Sequence, residues 1–233
     1  MSENVVETTH GRVRGVVHAG HVAYLGLRYA MPPVGPRRFT APAPAEPWAG
    51  VQEAERFGFA CPQPPSVLPG MEPGPQGEDC LFLNVYAPRG GGGRKPVLVW
   101  LHGGGFSAGS AAQAIYDGGR LAARGDAVVV TVNYRLGPLG FLHLPALGAD
   151  VPGAVDDPGL LDQLAALAWV RDNAAAFGGD PGNVTIFGES AGAMSVATLV
   201  ACPAARGLVR RAIAQSGAAQ ATLDRDTAAR TAH

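Results

Sequence analysis

In the second half of the chain, apolar positions follow two alternating rhythms. Short unbroken runs, PVLVWLH, AVVVTVNY, NVTIFG and the centre of VRRAIAQSG, are bounded by Gly, Pro or Asp and rich in β-branched residues, so they predict buried strands. Between them, GGRLAARG, PGLLDQLAALAWVRDNAAAF and AGAMSVATLV place apolar residues at helical spacing. In the longest of these, Leu160, Leu161, Leu164, Leu167 and Ala168 share one face, which is expected to pack on the sheet. Strands apolar on both sides, interleaved with helices, predict an α/β fold with a mostly parallel central sheet covered on both faces.

The first half reads differently. VVETTHGRVRGVV and HVAYLGLRYA predict short strands of a peripheral antiparallel ribbon, with Gly11, Gly15 and Gly20 at turns. Residues 31–79 are rich in Pro and Gly with little periodicity and are expected to wrap the surface as loops. LFLNVYAP alternates like a half-buried strand, and RGGGGRK after it predicts a flexible turn. No internal repeat is evident, so residues 1–233 are expected to form one domain.

At 233 residues and 47% hydrophobic, the chain can bury a sizeable core. A formal net charge of −1 gives no electrostatic reason to expect nucleic acid or a membrane surface as partner. MSENVVETTHGRVRG lacks the apolar core of an export signal, and no later run reaches the roughly 18 apolar residues of a membrane span. The expected location is the cytoplasm, with secretion as the alternative. Cys61, Cys80 and Cys202 lack paired zinc spacing, and neither metal nor cofactor is expected. Cys61 and Cys80 flank a Pro/Gly-rich loop; oxidised, they would add about 3 kcal/mol of stability, whereas a cytoplasmic setting keeps them reduced.

The most informative stretch is VTIFGESAGAMSVATL, Val184 to Leu199. A strand that turns directly into a helix forces the corner residue into a sparsely allowed backbone conformation and throws its side chain out at the sheet's edge. Gly188 and Gly192 let the two elements close around Ser190, which makes this a G-x-S-x-G nucleophile elbow. Ser190 as a simple helix N-cap would fit the pentapeptide but leaves the preceding strand unused. Upstream, PVLVWLHGGGFSAGS ends a buried strand in three glycines whose amides could face a substrate oxygen. A dinucleotide site does not fit, because the third glycine and the later acidic residue are missing.

HGGGF, GDPGNVTIFGESAG, EDCLFLNVYAP, GLLDQLAALAWVRDNAAAFGGDP and RAIAQSG, in that setting, resemble the type-B carboxylesterase/lipase family of the α/β-hydrolase fold, which includes the cholinesterases; YAMPPVGPRRFTAPAPAEPW resembles its N-terminal signature. The resemblance spans about residues 5 to 220. It implies Ser190 as acylated nucleophile, the amides of Gly104, Gly105 and Ala191 as oxyanion hole, and Glu189 as a supporting acid. It also implies Cys61 and Cys80 as the cysteines of the family's first disulfide loop, with Glu78 and Asp79 as the acidic pair before the second cysteine. Asp157 stands where asparagine is usual, and Ala193 where many members have glycine.

One expected part is absent. In this fold the triad runs Ser, acid, His, yet the short remainder after Ser190 offers only Asp224, Asp226 and the terminal His233. His102 reads as structural; His10, His18 and His21 belong to the ribbon and His143 to a loop. The expectation is therefore the N-terminal half of a serine carboxylesterase acting on small-molecule esters, cut after the strand that follows the elbow and catalytically incomplete by itself. The alternative is a non-catalytic, cholinesterase-like interaction module. Asn183 begins a formal glycosylation sequon that leads into a strand and reads as structural.

Overall fold

A computed structural model describes residues 4–66, 69–90, 94–147, 151–219 and 222–232. His233 and the centre of the RGGGGRK turn lie outside them. In chain order the elements are β1 (Val5–Thr8), β2 (Gly11–Arg14), β3 (Val16–Val17), β4 (His21–Arg28), β5 (Val51–Glu53), β6 (Phe82–Pro88), β7 (Lys95–Leu101), α1 (Gly119–Gly125), β8 (Val128–Val132), α2 (Gly137–Phe141), α3 (Pro158–Asn173), β9 (Gly179–Glu189), α4 (Ala191–Ala201), β10 (Arg211–Gln215) and α5 (Arg225–Ala232).

The main sheet has the order β10-β9-β7-β8-β6-β4-β3. From β10 to β8 neighbouring strands are parallel, as the continuous apolar runs require. From β8 to β3 they are antiparallel. HVAYLGLRYA thus joins the main sheet as β4 rather than the ribbon, which is β1 and β2 with β5 added in parallel. β6 is not half-buried. It lies between β8 and β4 with both faces covered, and Leu83 through Ala87 are all buried, Asn84 included.

The larger core lies under α3 and α4, where Val97, Val99, Leu101, Val130 and Ile186 meet Ala166, Leu167, Val170, Val196 and Leu199. The opposite face is thinner: Tyr86 and Val129 pack against Ala122 of α1. The buried face of α3 overlaps the one its leucines predict, since Leu167 lies in the core and Leu160 and Leu164 pack against it, but is centred elsewhere. Asp162, Gln163, Ala166, Leu167 and Val170 point inward, while Leu160, Leu161 and Leu164 are only partly covered. Two polar anchors set this rotation. Asp162 accepts two charge-assisted bonds from the Arg135 guanidinium, at 2.7 and 2.6 Å, and Gln163 donates to Ser195 Oγ of α4.

The loop region 31–79 is pinned by paired forks. Arg38 grips Glu78 and Arg28 grips Asp79, each through two nitrogens. Such bidentate pairs add direction as well as energy. They fix the start of β6 and, beside it, Cys80.

Candidate active site

β9 and α4 meet at Ser190 with no intervening loop, and Ser190 takes φ 54°, ψ −123°. An L-residue held there costs on the order of 1–3 kcal/mol, sustained only when the surroundings over-determine it. They do so from both sides. Ser190 N–H donates to Gln215 O at the end of β10, and Ser190 O accepts the Met194 N–H at 3.0 Å. The flanking glycines are obligatory on steric grounds. A β-carbon on Gly192 would collide with the Leu101 carbonyl oxygen, and one on Gly188 would sit 2.6 Å from the Gly192 carbonyl. Ser190 makes no capping bond with its side chain, so the N-cap alternative has no contact to support it.

The glycine loop leaves β7 on the same side. Gly104 and Gly105 take φ 111° and 62°, and Gly104 O accepts the N–H groups of Ser107 and Ala108. Among the described residues, the Gly104 and Gly105 amides donate in no hydrogen bond given by the structure. Ala191 opens α4, where an N–H has no intrahelical acceptor. Gly103 joins the two parts: a β-carbon there would lie 3.2 Å from Ser190 Cβ and 2.9 Å from Glu189 Oε2. The loop backbone therefore passes the serine with no room for a side chain between them, and the exposed Glu189 carboxylate borders the same space. The charge of Glu189 also reaches Tyr116, whose hydroxyl pKa is raised first by burial and then by that carboxylate.

His102 is the histidine nearest in sequence to this loop, and its environment makes it a scaffold. Burial pushes its pKa down to about 4, so it is neutral near pH 7. Its Nδ1 bonds Gly103 O at 2.8 Å, its own carbonyl accepts the Tyr134 hydroxyl at 2.7 Å, and the two rings stack. The other described histidines are engaged elsewhere: His10 beside Trp48, His18 stacked on His21, and His143 with Asp156. Asp224 accepts the Thr227 N–H and caps α5. Among the described residues no histidine hydrogen-bonds Ser190.

Cys61 and Cys80 are free thiols, both buried. They lie side by side, and a hydrogen bond from Cys80 to the Cys61 sulfur lowers the pKa of Cys61 and raises that of Cys80. Leu136 N–H also donates to Cys61 Sγ at 3.2 Å. The two residues implied as a disulfide thus lie side by side. Asp157 occupies the left-handed region, φ 49°, at the start of α3, a conformation that asparagine tolerates as well.

Some contributors carry no sequence signal. Gln63, in the Pro-rich loop, bonds both polar groups of Gly109, and Gln113 donates to Met71 O. Asn133 bridges Ala111 N–H and Phe59 O. Nothing in periodicity or spacing marks these amides, because they work through tertiary partners.

A mixed sheet whose parallel half delivers a strained serine at one strand end, against a glycine loop from the neighbouring strand end, defines an α/β-hydrolase. Within that class the chain belongs to the carboxylesterase family, whose model matches residues 2–232. It is 50% identical over 233 residues to the para-nitrobenzyl esterase of Bacillus subtilis (strain 168), covering 99% of this chain and 47% of that protein. It is 49% identical to the acetylcholinesterase of Gallus gallus, covering 91% of this chain and 29% of the relative. Among solved structures, a thermophilic PNB esterase superposes with a TM-score of 0.93 at 49% identity, again over 99% of this chain and 47% of the other. The chain therefore spans about half the length, or less, of the relatives it matches.

Proposed function

We propose that the polypeptide carrying these residues is a carboxylic ester hydrolase working through an acyl-enzyme on Ser190. The observation that carries this reading is the close approach of loop and elbow: no side chain fits between Gly103 and Ser190 Cβ, and the amides of Gly104 and Gly105, with that of Ala191 at the start of α4, are the donors this reading assigns to the oxyanion. Preorganised N–H donors at that place stabilise the negative oxygen that forms when a hydroxyl adds to a carbonyl. Ser190 Oγ attacks the ester carbonyl as its proton passes to a base. The tetrahedral oxyanion collapses, the alcohol leaves with that proton, and water then attacks the acyl-serine to free the acid. Both halves of the reaction need a base, and the histidine expected in this role lies outside residues 4–232. The site as described supplies nucleophile and oxyanion donors, and the remaining length typical of the relatives supplies the acid and histidine.

Glu189 is placed to act on the electrostatics of the loop rather than on the substrate, since its carboxylate borders the space beside Gly103. The substrates are small-molecule esters, the class named for the Bacillus relative. Ser190 and the glycine loop are both intact, and no feature of the site favours the interaction-module alternative. In the complete polypeptide, Ser190→Ala is expected to lower hydrolysis of a para-nitrophenyl ester by at least about 10⁴-fold. Turnover near wild type in that variant would overturn the assignment.

A further inference from the structure

We propose that Gln63 is the positioning residue that clamps the glycine loop into its oxyanion-binding shape, an inference that rests on the esterase reading of the same site. A loop containing three consecutive glycines, two of them at positive φ, has more backbone freedom to lose than any other sequence of its length. Donors that stabilise a transient oxyanion are effective only when already aimed. The loop therefore needs a restraint from outside its own backbone, and Gln63 has the contacts to provide one.

Its carboxamide forms a two-bond clasp with a single peptide residue. Gly109 N–H donates to Gln63 Oε1 at 2.7 Å, and Gln63 Nε2 donates to Gly109 O at 2.8 Å. Gly109, at φ 113°, is wedged against the loop it closes: a β-carbon there would strike His102 Nδ1 and lie close to Gly103 O. Ala108, one residue before, sits under Gly104, where its carbonyl fills the space a side chain would need, and its N–H donates to Gly104 O at 2.9 Å. Fixing Gly109 thus fixes Ala108, and Ala108 fixes the turn that presents the Gly104 and Gly105 amides.

The clasp is itself anchored. Gln63 N–H donates to Gln76 Oε1 at 2.8 Å, and Nε2 reaches back to Cys61 O at 3.0 Å. Cys61 is completely buried against Cys80, and the Arg28 and Arg38 forks hold the far end of the same loop through Asp79 and Glu78. The Pro-rich segment therefore acts as a brace between the rigid start of β6 and the glycine loop, with Gln63 as its contact point. Gln63 touches no reacting atom; it acts through Gly109.

The test uses Gln63→Met, which keeps about the length of the side chain and removes both bonds of the clasp together with the one to Cys61 O, in the complete polypeptide. Because the clasp serves donors used in the transition state, kcat is expected to fall about 10- to 100-fold, less than the loss of an oxyanion donor outright, with KM changed by no more than about twofold. Gln63→Glu, which keeps the acceptor for Gly109 N–H but turns a carboxylate oxygen onto the Gly109 and Cys61 carbonyls, should lose at least as much kcat as Gln63→Met. A wild-type kcat in Gln63→Met, or a defect confined to KM, overturns the proposal. Hydrogen exchange on the complete polypeptide gives a readout independent of turnover. Residues 102–110 should exchange about tenfold faster or more in Gln63→Met, while β7 and β8 exchange as in wild type; unchanged loop exchange is likewise contradictory. If the unsubstituted polypeptide shows no Ser190-dependent hydrolysis, the esterase reading fails and the oxyanion role with it, whereas a loss of activity confined to the Gln63 variants leaves the esterase reading intact.

Discussion

Burial at His102 removes an imidazole from water completely and leaves it one carbonyl partner, with its pKa near 4 in the folded state against 6.5 as the ordinary value. The unfolded chain therefore takes up a proton at higher pH than the folded one. Stability present above about pH 6.5 is lost as pH falls from 6.5 towards 4, by about 3 kcal/mol in all. Urea unfolding at pH 7, 5 and 4 should show this acid sensitivity, and His102→Gln should be less sensitive by that amount. Equal pH dependence in the two proteins would mean that His102 is more hydrated than its contacts indicate. At the same scale, the strain at Ser190 was legible in the sequence because glycines bracket the serine at the two positions where a β-carbon would meet Leu101 and Gly192. The scaffold role of His102 could be read only as a position beside the glycines; its partner Tyr134 comes from a distant strand end.

α3 shows where periodicity misleads. Its leucines mark a plausible apolar face, but the helix is turned so that Asp162 and Gln163 face inward. A pattern built on apolar residues alone cannot anticipate a charge drawn inside by a partner 27 residues away. Arg135 is only 2% exposed at its side chain and Asp162 not at all. Arg135 also donates to Thr40 O and Pro158 O, so its hydrogen bonds tie α3 to the loop after β8 and to the N-terminal region. Removing one partner strands a buried charge, and Asp162→Ala is expected to cost about 3–5 kcal/mol. Replacing both residues, Arg135→Met with Asp162→Leu, should recover most of that loss. A cost below about 1 kcal/mol for Asp162→Ala would show that the pair does not set the orientation of α3. The strands were more legible than the helix faces. β7, β8 and β9 read as continuous apolar runs because they are buried on both sides, whereas β6 alternates in polarity although both its faces are covered: Leu83 and Val85 enter the larger core, while Asn84 is buried through bonds to Ala111 O and Thr131 Oγ1 and Tyr86 packs under α1.

At the scale of the molecule, the sheet ends at one side in the two-residue β3 and at the other in the five-residue β10. Every residue of β10 is exposed, Ile213 half so, and among the described residues no strand pairs with its outer edge. On the thin face, Phe187, packed on Trp100, is only partly covered, Ile115 is largely exposed, and the buried Trp100 indole N–H has no partner among the described residues. An open edge with apolar neighbours is a template for association. The 233-residue chain in isolation is therefore expected to self-associate or precipitate at micromolar concentration, read by light scattering; a monodisperse monomer with a sharp cooperative melt would contradict this. The family and its elbow could be read from sequence because both are local motifs. The open face could only be inferred, since it depends on strand order.

Covalent labelling is the most direct test of the proposed role of Ser190 as the acylated nucleophile. Intact-mass spectrometry after incubation with a fluorophosphonate should show one rapid adduct on the complete polypeptide, absent from Ser190→Ala, and no adduct on residues 1–233 alone within the same time. A complete polypeptide that stays unlabelled, or one whose adduct survives Ser190→Ala, would contradict the assignment of Ser190 as the acylated residue.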